Sequence, residues 1–323
     1  SVLVDAYAKC GSLVEARKVF DMIQVHDVVS WTALISGYAQ NGLGWEALIF
    51  FEHMQKEGII PTVVTLLCVL KACGSIGAID KGEEMHAKMI RENLLESNVT
   101  LSSGLVEMYA NCGLLVKAQE VFNSIQSKNL FSWTVLITGY VHHGYDEEAL
   151  FNFQKMQNES VSPDAFTFVS VLKSCGNIGV IHNGKAIHTK LIKEGSFEKD
   201  YLVRNALIDM YAKCGALFEA ESVFNKIQDR NVGSWGALIA GYVEHAYEEK
   251  ALCYFKLMQK DGLFPDAFTF RSILKACGII GAIEKGEEIH FFIMKKGLLD
   301  GDISVGNALL DMYAKCGMLA KAQ

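Results

Sequence analysis

The chain repeats itself at one fixed interval. Cysteine, tryptophan, proline and histidine each recur every 102 residues along the 323-residue sequence. The recurring sets are Cys10, Cys112, Cys214 and Cys316; Trp31, Trp133 and Trp235; Pro61, Pro163 and Pro265; and His86, His188 and His290. A period kept along a whole chain, with no unrelated segment between copies, is typical of stacked repeats that share a continuous core. The sequence therefore predicts a repeat array rather than a globular enzyme with one pocket.

Glycine divides each period into three helical pairs. It recurs at steps of 31, 35 and 36 residues, and Ala246 stands where one glycine of the series is due, which predicts an altered turn there. Apolar residues around each glycine have helical spacing, as at Trp31, Leu34, Ile35 and Tyr38. Glycine between two amphipathic runs is a helix stop and a turn. The predicted fold is thus an all-α solenoid, whose helix pairs bury their apolar faces only by stacking.

Composition and motifs argue against several classes of protein. No C-x-x-C pair, H-x-E motif, G-x-S-x-G motif or phosphate-binding loop occurs, and no apolar run has membrane length. The nine cysteines lie in helical patterns, which favours small core residues in a reducing compartment. The three periodic histidines are too far apart to share one ion, which favours packing. We expect no catalytic site, cofactor or metal, and the net charge of −7 argues against indiscriminate nucleic-acid binding.

Four segments carry a family resemblance. DVVSWTALISGYAQNG, LFSWTVLITGYVHHG, VLKACGSIGAIDKGEEMH and NALIDMYAKCG, with their spacing, resemble the pentatricopeptide repeats (PPR) of plant organellar proteins. Steps of 35, 36 and 31 residues resemble the P, L and S motifs of the PLS subclass, which implies a right-handed α-solenoid of helix-turn-helix repeats in a mitochondrion or chloroplast. The expected single solenoid, 1–323, comprises a partial S motif at 1–27, P motifs at 28–62, 130–164 and 232–266, L motifs at 63–98, 165–200 and 267–302, S motifs at 99–129 and 201–231, and a partial S motif at 303–323. Both ends fall inside helical patterns, so we expect a fragment of a longer array.

The resemblance implies binding of single-stranded RNA, with one base read per motif by the fifth and the last residue. Counting from Val28, the second, fifth, ninth and thirteenth residues of a motif also share one face of the first helix. The residues expected to recognise bases are Ser1, Asp27, Thr32, Thr62, Ser103, Asn129, Thr134, Asp164, Asn205, Asn231, Asp266 and Asn307. This repeated polar stripe suits a linear polymer with a constant repeat.

The hydrogen-bonding capacity of the last residue makes base choice plausible. Aspartate only accepts and suits the ring N–H of guanine or uracil, whereas asparagine can donate to the ring nitrogen of adenine or cytosine. By resemblance, Thr or Ser in the fifth position goes with purines and Asn with pyrimidines. In the parallel orientation of the family, the expected site is 5′-G-R-N-A-G-N-Y-N-N-Y-3′. Gly236 lacks a fifth side chain, and L motifs with apolar fifth residues are expected to act as spacers or to read the shape of the ligand.

Two further sets of residues are expected to contact RNA. The second residue of a motif would hold a base by apolar contact, as at Val29, Phe131 and Leu202, unless these side chains pack between helices. Lys9, Lys213 and Lys315 lie on the same face as the base-reading residues and are weak candidates for phosphate contacts. Ordinary solvated surface is the alternative for these lysines, and we expect only a shallow salt dependence.

Three functions fit this sequence. The one we favour is the specificity module of an organellar C-to-U RNA editing factor, which binds single-stranded RNA and possible protein partners of an editing complex. Any deaminase domain would lie outside this chain. The alternatives are an RNA stabilisation or splicing factor, and a protein–protein interaction scaffold. Ser, Thr or Asn in the fifth position combined with Asp or Asn in the last position favours base reading over a peptide groove.

Overall fold

The computed structural model describes residues 1–96, 98–193, 195, 200–298, 303–318 and 321. Within that part of the chain all regular secondary structure is α-helical. The helices are α1 (Val2–Lys9), α2 (Leu13–Asp21), α3 (Val28–Gln40), α4 (Gly44–Lys56), α5 (Val63–Ile76), α6 (Ile79–Arg91), α7 (Val99–Asn111), α8 (Leu115–Ser124), α9 (Leu130–His142), α10 (Asp146–Asn158), α11 (Ala165–Asn177), α12 (Ile181–Lys193), α13 (Tyr201–Lys213), α14 (Leu217–Lys226), α15 (Val232–Glu244), α16 (Glu248–Lys260), α17 (Ala267–Ile280), α18 (Ile283–Lys295) and α19 (Ile303–Lys315).

The helices form two compact units, Ser1–Thr167 and Phe168–Gln323. In the first unit each odd-numbered helix from α1 to α7 packs on the next odd-numbered helix, and each even-numbered helix from α2 to α10 packs on the odd-numbered helix before it. In the second unit α13, α15, α17 and α19 are stacked in the same way. Each unit is therefore a stack of helix pairs, and the expected all-α repeat solenoid is confirmed. Its right-handed sense stays a prediction.

The apolar face predicted for the first helix of a pair is buried. Trp31, Leu34 and Ile35 are buried, and Tyr38 is half-buried. An edge-to-face aromatic pair recurs at three points where an S motif meets the following P motif, with ring centroids 4.6 Å apart for Phe122 and Trp133. Such pairs add about 0.5–1.5 kcal/mol beyond their buried area. The helical spacing of apolar residues thus identified the core correctly.

The periodic histidines and cysteines have mainly packing roles. Each periodic histidine forms a hydrogen bond with a tyrosine hydroxyl on the helix that follows its own. The distance is 2.8 Å from His86 Nδ1 to the Tyr109 hydroxyl and 2.9 Å in the other two copies. Among the described residues, no group of three or more potential metal ligands is brought together. Cys73, Cys175 and Cys277 are buried, but the expectation of core cysteines is wrong for Cys10 and Cys253, which are exposed. Cys10 follows α1 as its C-cap residue, and Cys253 lies on an exposed position of α16.

The turn at Ala246 keeps the conformation of the glycine turns. Ala246 has φ of +60°, and Gly144, at the equivalent position, has φ of +75°. The expected change of turn is therefore not seen in the backbone. The alanine is held in the left-handed region, which costs an L-residue with a Cβ about 1–2 kcal/mol.

Candidate nucleic-acid interface

The last residue caps the helix that follows in all six predicted P and S motifs that end before residue 303. Asp27 Oδ1 accepts from the Ser30 backbone N–H at 2.7 Å, and Asn129 Oδ1 accepts from that of Ser132 at 2.9 Å. Thr62, Asp164, Asn231 and Asp266 accept in the same way from the residue three positions later. The bonds from Ser30 lower the pKa of Asp27. Because helix capping itself favours Asp, Asn and Thr, their recurrence at the last position does not by itself argue against a peptide groove, contrary to the sequence argument.

Capping uses only one of the two polar atoms of the aspartate and asparagine side chains. In Asp27, Asn129, Asp164, Asn231 and Asp266 the capping atom is Oδ1. Aspartate then keeps an Oδ2 that accepts hydrogen bonds, whereas asparagine keeps an Nδ2 that donates them. Asp and Asn are about equally good caps, so capping does not decide which of the two occupies the last position. What differs between them is the second polar atom, an acceptor in Asp and a donor in Asn.

The fifth and last residues of one motif are joined by hydrogen bonds. Thr134 Oγ1 lies 2.7 Å from Thr167 Oγ1, which in turn donates to Asp164 Oδ1 at 2.7 Å. In the first P motif, Thr32 and Thr62 both bond Thr65 Oγ1, at 2.7 and 2.9 Å. The structure thus brings both predicted pairs together.

The linking threonine is a residue that sequence reasoning missed. It occupies the third position of the following helix as Thr65, Thr167 and Thr269, at the 102-residue interval. A threonine three residues after an N-cap is part of a capping pattern. That spacing is the signal that could have identified it.

The pair predicted in the second complete S motif is joined directly. Asn205 Nδ2 donates to Asn231 Oδ1 at 3.1 Å, and the same oxygen accepts from the Ser234 backbone N–H at 2.9 Å. A Cβ on Gly233 would lie 2.4 Å from Asn205 Nδ2. Glycine at position 233 therefore gives Asn205 the space to reach its partner.

Two equivalent grooves, both in the first unit, contain the predicted site residues. The first groove encloses about 520 Å³ and is lined by Ser1, Val29, Thr32, Thr62 and Val64, among others. The second groove encloses about 740 Å³ and is lined at the equivalent positions by Phe131, Thr134, Asp164 and Phe166, together with Asn129. The fifth residue, the last residue and two apolar side chains therefore line both grooves.

The second residues of the motifs are exposed rather than packed between helices. Val29, Phe131 and Leu202 are 57%, 47% and 38% exposed, respectively, and Phe166 is 67% exposed. Phe131 and Phe166 line the second groove, where a flat ring could be held between them. This arrangement favours the base-holding alternative for the second position.

Ser103 departs from the expected arrangement. It is buried, and its hydroxyl donates to the Val99 backbone carbonyl at 2.8 Å. A serine inside a helix readily donates to the backbone carbonyl four residues earlier, and because Ser103 is buried, this bond replaces one to solvent or to a ligand. The structure therefore does not present Ser103 to the groove. Asn307 is exposed on α19, and Asp302, the expected last residue of the third L motif, lies outside the described residues.

The three candidate phosphate-binding lysines already have partners. Each pairs with the aspartate four residues earlier on its own helix, over 2.7 Å for Lys9, 2.8 Å for Lys213 and 2.6 Å for Lys315. Such helical pairs contribute only about 0.3–0.5 kcal/mol. A phosphate could displace the aspartate, but its attraction to the lysine would be reduced by the neighbouring carboxylate.

Glu107 breaks this series of ion pairs. It replaces the aspartate, and Asn111 replaces the lysine, so α7 lacks the pair. Glu107 lines the second groove, where burial raises its pKa and Lys71 offsets part of that effect. The second groove therefore contains a carboxyl group with no cation on its own helix.

Charged contacts also join the second helices of adjacent L and S motifs. Glu83 pairs with Lys117, whereas one period later the charges are reversed in the 2.8 Å pair of Lys185 and Glu219.

A bilayer-crossing helix is not found among the described residues, since none combines the necessary length with an apolar composition.

Family models match most of the chain. The PPR repeat family model matches residues 26–75, 128–177 and 230–278, and the PPR repeat model matches 1–28, 64–94, 103–130 and 203–232. A chloroplastic pentatricopeptide repeat-containing protein of Arabidopsis thaliana is 35% identical over 322 residues, covering 100% of this chain and 40% of the relative. A mitochondrial one from the same plant is 35% identical over 316 residues, covering 98% and 45%. The chain thus spans about half, or less, of the length of the relatives it matches. The names of these relatives agree with the expected organellar localisation.

A solved structure shares the fold. The crystal structure of the pentatricopeptide repeat protein PPR10 in complex with an 18-nucleotide psaJ RNA element superposes with a TM-score of 0.77. The match covers 99% of this chain and 48% of PPR10, at 19% sequence identity. At that identity the likeness establishes the repeat architecture.

Proposed function

The chain belongs to the pentatricopeptide repeat family, and we propose that it binds single-stranded RNA with one nucleotide per repeat. The observation that carries this proposal is the second groove, which is lined by Thr134 and Asp164, linked through Thr167, and by the exposed rings of Phe131 and Phe166. Base stacking on an aromatic ring contributes about 1–3 kcal/mol. The RNA complex of PPR10, which shares the fold, supports the same class of ligand.

The polar atoms of this groove suit guanine. Only Oδ1 of Asp164 is hydrogen bonded among the described residues, which leaves Oδ2 as an acceptor for the N1–H and N2–H groups of guanine. Thr134 adds a hydroxyl that can donate or accept. Adenine would present a bare ring nitrogen to Oδ2, and two acceptors would then face each other. We therefore assign guanine to the P motif at 130–164.

We further propose that the chain is the specificity module of an organellar C-to-U editing factor. The 35, 36 and 31-residue steps favour the PLS subclass, and relatives named as chloroplastic and mitochondrial support an organellar site of action. The editing chemistry would belong to a domain outside this chain, and protein partners of an editing complex would complete the assembly. Stabilisation or splicing of a transcript by the same binding is the alternative.

Fluorescence anisotropy with a labelled RNA tests the binding proposal. The ligands are 5′-GAUAGUCUUC-3′, a scrambled version and the matching DNA, at about physiological ionic strength. We expect selective binding of the first RNA, and Phe131→Ala should weaken it by about 1–3 kcal/mol through lost stacking. Trp45→Ala is the matched control, because Trp45 is 62% exposed on α4 and is not among the residues that line either groove. Absence of binding to all three ligands would contradict the proposal and favour a protein scaffold.

A further inference from the structure

The third P motif lacks the side chains that form the first two grooves. Gly233 and Gly236 occupy its second and fifth positions, where the second P motif has Phe131 and Thr134. A Cβ on Gly236 would lie 2.9 Å from Thr269 Oγ1. The hydroxyl that joins the fifth residue to the linking threonine in the other P motifs is therefore missing here.

An aromatic ring occupies the space next to Gly236. The ring of Phe268 would lie 3.5 Å from a Cβ at Gly236, so the ring packs against the glycine. Phe268 is 44% exposed, compared with 67% for Phe166 at the equivalent position. The ring is held closer to the protein and still presents a large part of its surface to solvent.

An arginine stands beside this ring, at the fifth position of the third L motif. The guanidinium carbon of Arg271 lies 6.0 Å from the centroid of the Phe268 ring, at the outer limit of a cation–π contact. Leu67 and Val169 hold the equivalent positions in the other L motifs and offer no polar group. Arg271 is exposed and forms no ion pair with any carboxylate of the described residues, so its donors are available to a ligand.

We propose that Arg271 and Phe268 together recognise a guanine base of the bound RNA, at the nucleotide opposite the L motif 267–302. This inference rests on the proposed RNA binding. A guanidinium donates two parallel hydrogen bonds to guanine O6 and N7, and an aromatic ring offers a stacking surface for a base. Adenine places an amino donor next to N7, and cytosine also presents an amino donor, so both oppose the arginine. Uracil offers a single carbonyl on that edge. The third L motif is thus a reading motif rather than a spacer.

The test varies one nucleotide in four RNAs, 5′-GAUAGUCUXC-3′ with X as G, A, C or U, measured by fluorescence anisotropy. We expect the wild-type chain to prefer G by about five- to tenfold, the lower part of the range for a bidentate arginine–guanine contact, because Arg271 is exposed. R271L should remove this preference. R271K keeps the charge but not the planar fork, and it should also lose the preference. Replacing guanine at X by 7-deazaguanine, which lacks N7, should reduce wild-type affinity toward that for U.

The control variant is K275L, which removes a positive charge one turn later on α17 and should leave the preference at X unchanged. Thermal unfolding of each variant checks that the fold is retained. A uniform loss of affinity for all four RNAs in R271L, with a shallower salt dependence, would mean that Arg271 binds phosphate and would overturn the inference. Equal wild-type affinity for all four RNAs would also overturn it. If the wild-type chain bound no RNA at all, the proposed function itself would fail.

Discussion

Replacing Asp164 by asparagine separates capping from base reading at a single atom. Asp164 Oδ1 accepts from the Thr167 backbone N–H at 2.8 Å and from its hydroxyl at 2.7 Å. An asparagine can keep both bonds through its own Oδ1, so the cap survives. Only the second atom changes, from an acceptor to a donor. Loss of the negative charge at the start of α11 should lower the free energy of unfolding by no more than about 0.3–1 kcal/mol.

The same change should exchange guanine for adenine at the fifth nucleotide. Guanine N1–H would face a donor, and a polar group left without its partner costs about 1–3 kcal/mol. Since about 1.4 kcal/mol corresponds to a tenfold change in Kd, guanine should lose about 5- to 150-fold in affinity. The adenine N1 would gain a donor, which contributes about 0.5–1.5 kcal/mol.

Anisotropy titrations with RNAs that differ only at the fifth nucleotide, together with urea unfolding, measure both effects. Asp266→Asn is the matched control, because Asp266 caps α17 through the same two bonds to Thr269, at 2.8 and 2.7 Å. It should cost a similar amount of stability and leave the fifth nucleotide unaffected. An Asp164→Asn chain that still preferred guanine would refute the division of labour between Oδ1 and Oδ2. A stability loss well beyond that of the control would show that Oδ2 also supports the fold.

Other parts of the molecule give predictions that do not depend on RNA. Ala246→Gly should raise the free energy of unfolding by about 1 kcal/mol, measured in urea, because it relieves a left-handed φ of +60°; unchanged stability would mean that the turn is unstrained. Leu34→Ala should lower it by about 2–5 kcal/mol, because Leu34 is fully buried, and a smaller loss would mean that the site collapses around the cavity. Reversing Glu83 and Lys117 together should restore the stability lost in either single reversal, and a double variant as unstable as the worse single one would contradict their pairing. Burial raises the pKa of Glu107 above 4.5, so its ionisation opposes folding as the pH rises; Glu107→Gln should stabilise the fold at pH 7, with the difference shrinking in acid, and a pH-independent difference would count against this.

The sequence was most informative where a feature recurs or depends on close neighbours in the chain. Helical spacing around each glycine was sufficient to predict the helix pairs and to identify Trp31, Leu34 and Ile35 as buried. The sequence also contains the signal for the capping role of the last residue, since Asp27 and Ser30 are three residues apart, but the role predicted for this residue is base recognition alone. These features depend on local backbone geometry, which periodicity and spacing report directly.

Features that depend on packing between separate helices were not predictable. Ser103 has the residue type expected of a base-reading position, but the surrounding helices bury it and its hydroxyl turns to the backbone. Thr134 is linked to Asp164 through Thr167, which lies in the first turn of another helix, α11. The left-handed alanine at 246 shows the opposite case, in which the stacked helices impose a turn that the local sequence disfavours. Contacts between separate helices, which spacing along the chain does not report, determine all three arrangements.

The position of the capping residue explains how such an array could vary its ligand without losing its fold. Asp and Asn start a helix about equally well, so exchanging them alters the atom that faces the proposed ligand at little cost in stability. A change at the fifth position should affect stability, because Thr32 and Thr134 are each hydrogen bonded to a threonine on the first helix of the following motif. The distance is 2.7 Å in both cases. A change there alters the ligand contact and the contact between repeats together. Where the fifth side chain is absent, as at Gly236, the Phe268 ring packs against the glycine and Arg271 lies beside that ring. We therefore expect single substitutions at the last position to change base preference alone, and substitutions at the fifth position to change base preference and stability together.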